Sequence, residues 1–111
     1  MSKIQWLSNI PKIISFEVRT EKEMGDYIAL NWLEPKEAKK FNISNNTVIV
    51  RKDWWSDKVK KLRIIVHEET EIFLRIEFNF NYEQAHHLAT LAEHRAVKNE
   101  GWKLEEVIKH K

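Results

Sequence analysis

Two helix-patterned segments with a short break between them constrain this chain more than anything else in it. From Lys58 to Glu77 apolar residues recur at three- and four-residue spacing, and a second such segment runs from Tyr82 to about Glu100. Phe78-Asn79-Phe80-Asn81 separates the two. Asn81 suits the N-cap of the second helix, with Gln84 at its third position, the reciprocal pattern of a capping box. Gly101 suits the left-handed residue that ends it. A connection of about four residues makes the helices spatial neighbours, so their facing sides must meet.

Strands precede these helices. Ile13 to Arg19 alternates apolar and polar from Ile14 onward, Tyr27 to Trp32 is a second strand, and Thr47 to Arg51 is a third, rich in β-branched residues. The first two are expected to pair as a hairpin, because sequential strands usually neighbour. Thr20 to Asp26 reads as a turn or short helical link around Gly25, and Glu34 to Phe41 as a short helix with Pro35 in its first turn. Asn42 to Asn46 is a polar loop, and Asp53 to Asp57 turns the chain, with Ser56 or Asp57 as helix cap. Residues 102–109 are expected to form a short C-terminal helix. Strands followed by helices give an α+β class: a small three-stranded sheet, mixed or mostly antiparallel, then two long helices and the short one. Residues 1–111 are expected to form one domain, with a sheet part over about 1–52 and a helical part over about 56–111.

Composition narrows function mainly by exclusion. The chain has no Cys, so thiolate metal sites and disulfides are ruled out, and a metal would be held by His, carboxylate or backbone oxygen. No apolar run approaches a membrane span, and Met1 to Trp6 lacks a signal-peptide core; a cytoplasmic protein without a membrane partner is expected. A net charge of +2 is too small to argue for nucleic acid by itself. There is no P-loop, no GxGxxG and no Ser/His/Asp or Cys/His arrangement.

At about 100° per residue, Leu62, Ile65, Val66, Ile72, Phe73 and Ile76 form one broad apolar stripe on the first helix. His67 and Glu71, one turn apart, share a second face with Ile64, Leu74 and Phe78. A helix apolar on two sides is sandwiched between layers. On the second helix Tyr82, Ala85, His86, Ala89, Ala92, Glu93 and Ala96 fall on one face, while His87 and His94 lie elsewhere. The alanines allow close helix approach, and His86 can then reach His67 and Glu71. His67, Glu71 and His86 form a candidate metal set with a fourth position open to water, the pattern of catalytic zinc. Glu93 is either a further ligand or the carboxylate that orients His86. Glu69 falls in the apolar stripe and needs a partner such as Arg19 or Arg51, or joins the site itself. The plainer alternative is a buried His bonded to a Glu one turn away, with no metal.

His67-Glu68-Glu69-Thr70-Glu71 followed by Ala85-His86 resembles the compact zincin-like metallopeptidase fold, over about Thr47 to Glu93. That resemblance implies His67, Glu71 and His86 as zinc ligands and Glu68 as general base. It implies metal-assisted hydrolysis of a peptide or small amide, with Thr47 to Arg51 as the strand preceding the active-site helix. The departure is Glu71, where such enzymes have His. A zincin-like protein that binds without catalysis is the alternative. A third reading rests on residues 51–63, where six basic residues flank Trp54 and Trp55, the composition of a single-strand nucleic-acid binder. Packing of both indoles over the helix start is the favoured account of that stretch.

Overall fold

Thr47-Val48-Ile49-Val50-Arg51 forms the strand around which the sheet is built. The computed structural model describes residues 14–98. Gly101, the expected helix at 102–109 and residues 1–13 lie outside the described residues. The described chain is α+β, with a three-stranded mixed sheet followed by two long helices.

In chain order the elements are β1 (Ser15–Arg19), α1 (Glu21–Met24), β2 (Ala29–Asn31), α2 (Pro35–Lys40), β3 (Thr47–Arg51), α3 (Lys52–Trp55), α4 (Lys58–Glu77) and α5 (Tyr82–Val97). By Cα proximity they divide into two compact units, the boundary falling between Ile64 and Ile65, inside α4.

In the first unit the strand order is β1-β3-β2. β3 pairs parallel with β1, Ser15 opposite Thr47, and antiparallel with β2, Ala29 opposite Val50. The expected β1–β2 hairpin is therefore replaced by insertion of β3, which makes the sheet mixed. The physical reason lies in both partners. Val48, Ile49 and Val50 are fully buried, a pattern that belongs to a central strand. The β1–β2 link, meanwhile, forms a capped helical turn rather than a tight reversal. Thr20 and Glu23 close a capping box on α1, and Gly25 ends it at φ 61°, a conformation that favours glycine. β2 is three residues long and stops at Asn31, whose side chain accepts a hydrogen bond from Leu33 N at 2.9 Å. Met24, Ile43 and Ile49 form a core cluster with Leu30, Trp32, Ala38 and Phe41 against it. Arg19 is held by Glu17 and the Phe41 carbonyl, and Arg51 forks onto Asp53 and reaches the Gly25 carbonyl.

Where a turn is expected over Asp53 to Asp57, residues Lys52–Trp55 form the one-turn helix α3. Ser56 Oγ donates to the Lys52 carbonyl at 2.8 Å and closes it. Of the two candidate caps of α4, Asp57 serves: its Oδ1 accepts from Lys60 N at 2.9 Å and its carbonyl from Lys61 N at 2.8 Å.

The second unit is a helical hairpin. Asn81 and Gln84 form the expected capping box, with Gln84 N donating to Asn81 Oδ1 at 2.8 Å and Asn81 N donating back to Gln84 Oε1 at 3.1 Å. The left-handed turn between the helices sits at Asn79, φ 55°. Val66, Leu74, Phe80, Ala85, Leu88 and Ala92 form its core, with Phe73, Phe78 and Ala96 packed against them. Ala85, Ala89 and Ala92 of α5 are buried, as close helix approach requires. The apolar stripe of α4 is less uniform than its periodicity suggests: Val66 and Ile72 are buried, but Ile76 is exposed. The face bearing Glu71 and Leu74 is buried instead, because α5 covers it.

Candidate metal centre

α4 presents His67 and Glu71 one turn apart, and α5 presents His86 from its second turn and Glu93 two turns later. The four side chains meet. His67 Nε2 lies 3.3 Å from Glu71 Oε2, and His86 Nδ1 donates to the same oxygen at 3.2 Å. The other ring nitrogen of His67, Nδ1, donates to Glu93 Oε1 at 3.1 Å. The two imidazoles stand edge to face with centroids 4.8 Å apart. Tyr82 stacks on His86 at 5.3 Å, and the Arg75 guanidinium lies 6.0 Å from the Tyr82 ring.

Burial is graded across the cluster. The Glu71 side chain is 4% exposed, His67 14% and His86 48%. The buried carboxylate is therefore the hub, and the approach from outside lies on the His86 side.

Electrostatics follow from this arrangement. Burial pushes the His67 pKa down and is the largest single influence on it. Hydrogen bonds to Glu71 and Glu93, with the added negative charge of Glu68, outweigh burial and raise the value from 6.5 to about 10. His67 is thus an imidazolium at neutral pH, with both N–H groups on carboxylates. Burial pushes Glu71 up, but hydrogen bonds and charge from His67 and His86 outweigh that and hold it below its ordinary value.

One ligand atom each from His67, Glu71 and His86 lies within 4.8 Å of the others. A tetrahedral ion with bonds of about 2.1 Å has ligand–ligand edges of roughly 3.4 Å. The two edges at Glu71 Oε2, 3.3 and 3.2 Å, already match that length.

The expected ligands are therefore brought together, but Glu93 takes a different place. It bonds His67 Nδ1, so it is the acceptor that fixes the His67 ring with Nε2 toward Glu71. Sequence reasoning missed this because His86 and Glu93 share a helix and so suggested each other. The cross-helix distance was not legible from spacing on α5 alone. Glu68 is buried and outside the group of three ligand atoms, a third of a turn from His67 on α4. Its charge still reaches His67. Glu69 is half-buried and also outside that group.

Comparison with known protein families, with curated proteins and with solved structures finds no match to this chain.

Proposed function

We propose that the α4–α5 hairpin holds one divalent transition-metal ion through His67, Glu71 and His86, in a small metal-dependent hydrolase acting on peptide or small amide bonds. The observation that carries this reading is the convergence of three ligand atoms from two helices within 4.8 Å of one another, with both edges at Glu71 Oε2 near tetrahedral length. A nitrogen-rich, sulfur-free set suits zinc and its neighbours over calcium or magnesium, which prefer all-oxygen shells. Glu93 supplies the carboxylate that keeps His67 oriented, and the exposed edge of His86 leaves a side for water and substrate. A bound ion supplies polarisation of a carbonyl and a more acidic water. Glu68 is the group available to take the proton, as the resemblance to zincin-like proteins implies.

A second reading has its own observation. With both ring nitrogens of His67 on carboxylates, Glu71–His67–Glu93 is a self-sufficient charged network that needs no ion. Elemental analysis after zinc loading and exhaustive dialysis separates the two. The metal reading expects about one ion per chain, lost in His67→Ala/His86→Ala; no retained ion in the wild type leaves the charged network alone. For the loaded protein, hydrolysis of a dye-labelled peptide library is expected to fall at least ~100-fold on Glu68→Gln, the scale of a general base. Equal turnover in that variant would remove Glu68 from the chemistry.

A further inference from the structure

The segment from Arg51 to Arg63 takes no part in the metal centre. Six basic residues against two acidic ones leave it with four surplus positive charges, twice the +2 of the whole chain. Both acids are engaged close at hand. Asp53 accepts the Arg51 fork at 2.7 and 3.1 Å, and Asp57 caps α4 through Lys60 N. Lys52, Lys58, Lys60 and Lys61 form no ion pair with a described residue.

The helix dipole does not account for these lysines. The first turn of α4 contains no acidic residue and carries Lys58, Lys60 and Lys61, whose charges oppose the helix dipole at that end. The neighbouring indoles are half-buried and carry cations. Trp55 lies between Phe16, stacked at 5.2 Å, and the Lys61 ammonium at 4.5 Å. Trp54 carries Lys60 at 5.2 Å and Arg63 at 5.4 Å. The rings therefore hold cations in place and act as positioning elements for charge.

By helical position the charges spread over more than half of the circumference of α4. With Lys58 taken as zero and roughly 100° per residue, Arg63 lies near ~140°, Lys60 near ~200° and Lys61 near ~300°. A planar anionic membrane reaches one side of such a spread. A nucleic-acid groove, bounded by phosphates on both rims, reaches opposite sides at once.

We infer that the start of α4, from Lys52 to Arg63, is a docking surface for the phosphate backbone of nucleic acid, read by charge and without base stacking. Binding is then independent of sequence and steeply dependent on salt. About three neutralised phosphates give a slope of log K against log salt near −3 on duplex.

The test uses the full chain with a labelled 20-base-pair duplex, its single strand and phosphatidylserine-containing vesicles, by fluorescence anisotropy and co-sedimentation from roughly 50 to 200 mM salt. Duplex binding with a slope near −3 is expected, weakened at least ~10-fold in Lys58→Glu/Lys60→Glu. Lys58→Gln/Lys60→Gln keeps the helix content while reducing the slope by roughly 2, and decides the matter if the charge-reversed variant does not fold. Absence of duplex binding at low salt, affinity unchanged in the Gln variant, or vesicle binding without duplex binding would each overturn the inference. So would strong preference for the single strand with quenched indole fluorescence, the signature of stacking.

Discussion

Raising the pH of the metal-free protein from 7 to 9 is expected to remove a large part of its stability. The cause is His67, whose pKa rises from 6.5 in the unfolded chain to about 10 in the folded one. A folded-state pKa above the unfolded one means the native state binds the extra proton. The stabilisation is therefore complete below pH 6.5 and disappears as pH passes 10. The full difference corresponds to about 5 kcal/mol, and between pH 7 and 9 the loss is about 2–3 kcal/mol at roughly 1.4 kcal/mol per pH unit. Against a total stability of about 5–15 kcal/mol, that is readily measured. The assay is urea unfolding of chelator-treated protein at fixed ionic strength, followed by circular dichroism. The Glu71→Gln/Glu93→Gln variant removes both acceptors and should flatten the profile. A wild-type stability that is level between pH 7 and 9 would refute the claim that His67 is held as an imidazolium by two carboxylates.

The same proton makes metal uptake pH-dependent in the opposite sense. Because an ion at Nε2 must displace it, zinc affinity is expected to rise about tenfold per pH unit between 7 and 9, measured by competition with a chelator of known affinity. Glu93→Gln should weaken zinc binding ~10–100-fold without abolishing it, since Glu93 bonds and orients the His67 ring. Asn81→Ala should lower stability by about 1 kcal/mol in urea unfolding, through loss of the α5 cap. Leu74→Ala, at a fully buried position in the hairpin core, should cost about 2–5 kcal/mol by the same measurement.

The helical half of this chain was more legible in its sequence than the sheet. The Asn81–Gln84 box and the alanines of α5 act locally, within one or two helical turns, so spacing alone placed them. His67, Glu71 and His86 were legible for the same reason, once a short connection forced the two helices together. Sheet order is set by competition between distant segments. β1 and β2 are adjacent in sequence, yet the three consecutive fully buried residues of β3 gain more from a central position. No local signal records that. α3 was missed because a single helical turn carries too few residues to show a period. The bond from His67 to Glu93 crosses between the helices, so spacing along α5 alone does not record it. The burial of the His67–Glu71 face over Ile76 depends likewise on where α5 lies, which the pattern of α4 alone does not contain.

X-ray absorption at the zinc edge of the loaded protein tests the central claim most directly. The account expects a first shell of about four nitrogen or oxygen atoms near 2.0–2.1 Å, with outer-shell scattering from two imidazoles that is lost in His67→Ala/His86→Ala. A six-oxygen shell without imidazole scattering, or a spectrum unchanged in that double variant, would contradict it. His67, Glu71 and Glu93 would then be a structural charge network and nothing more.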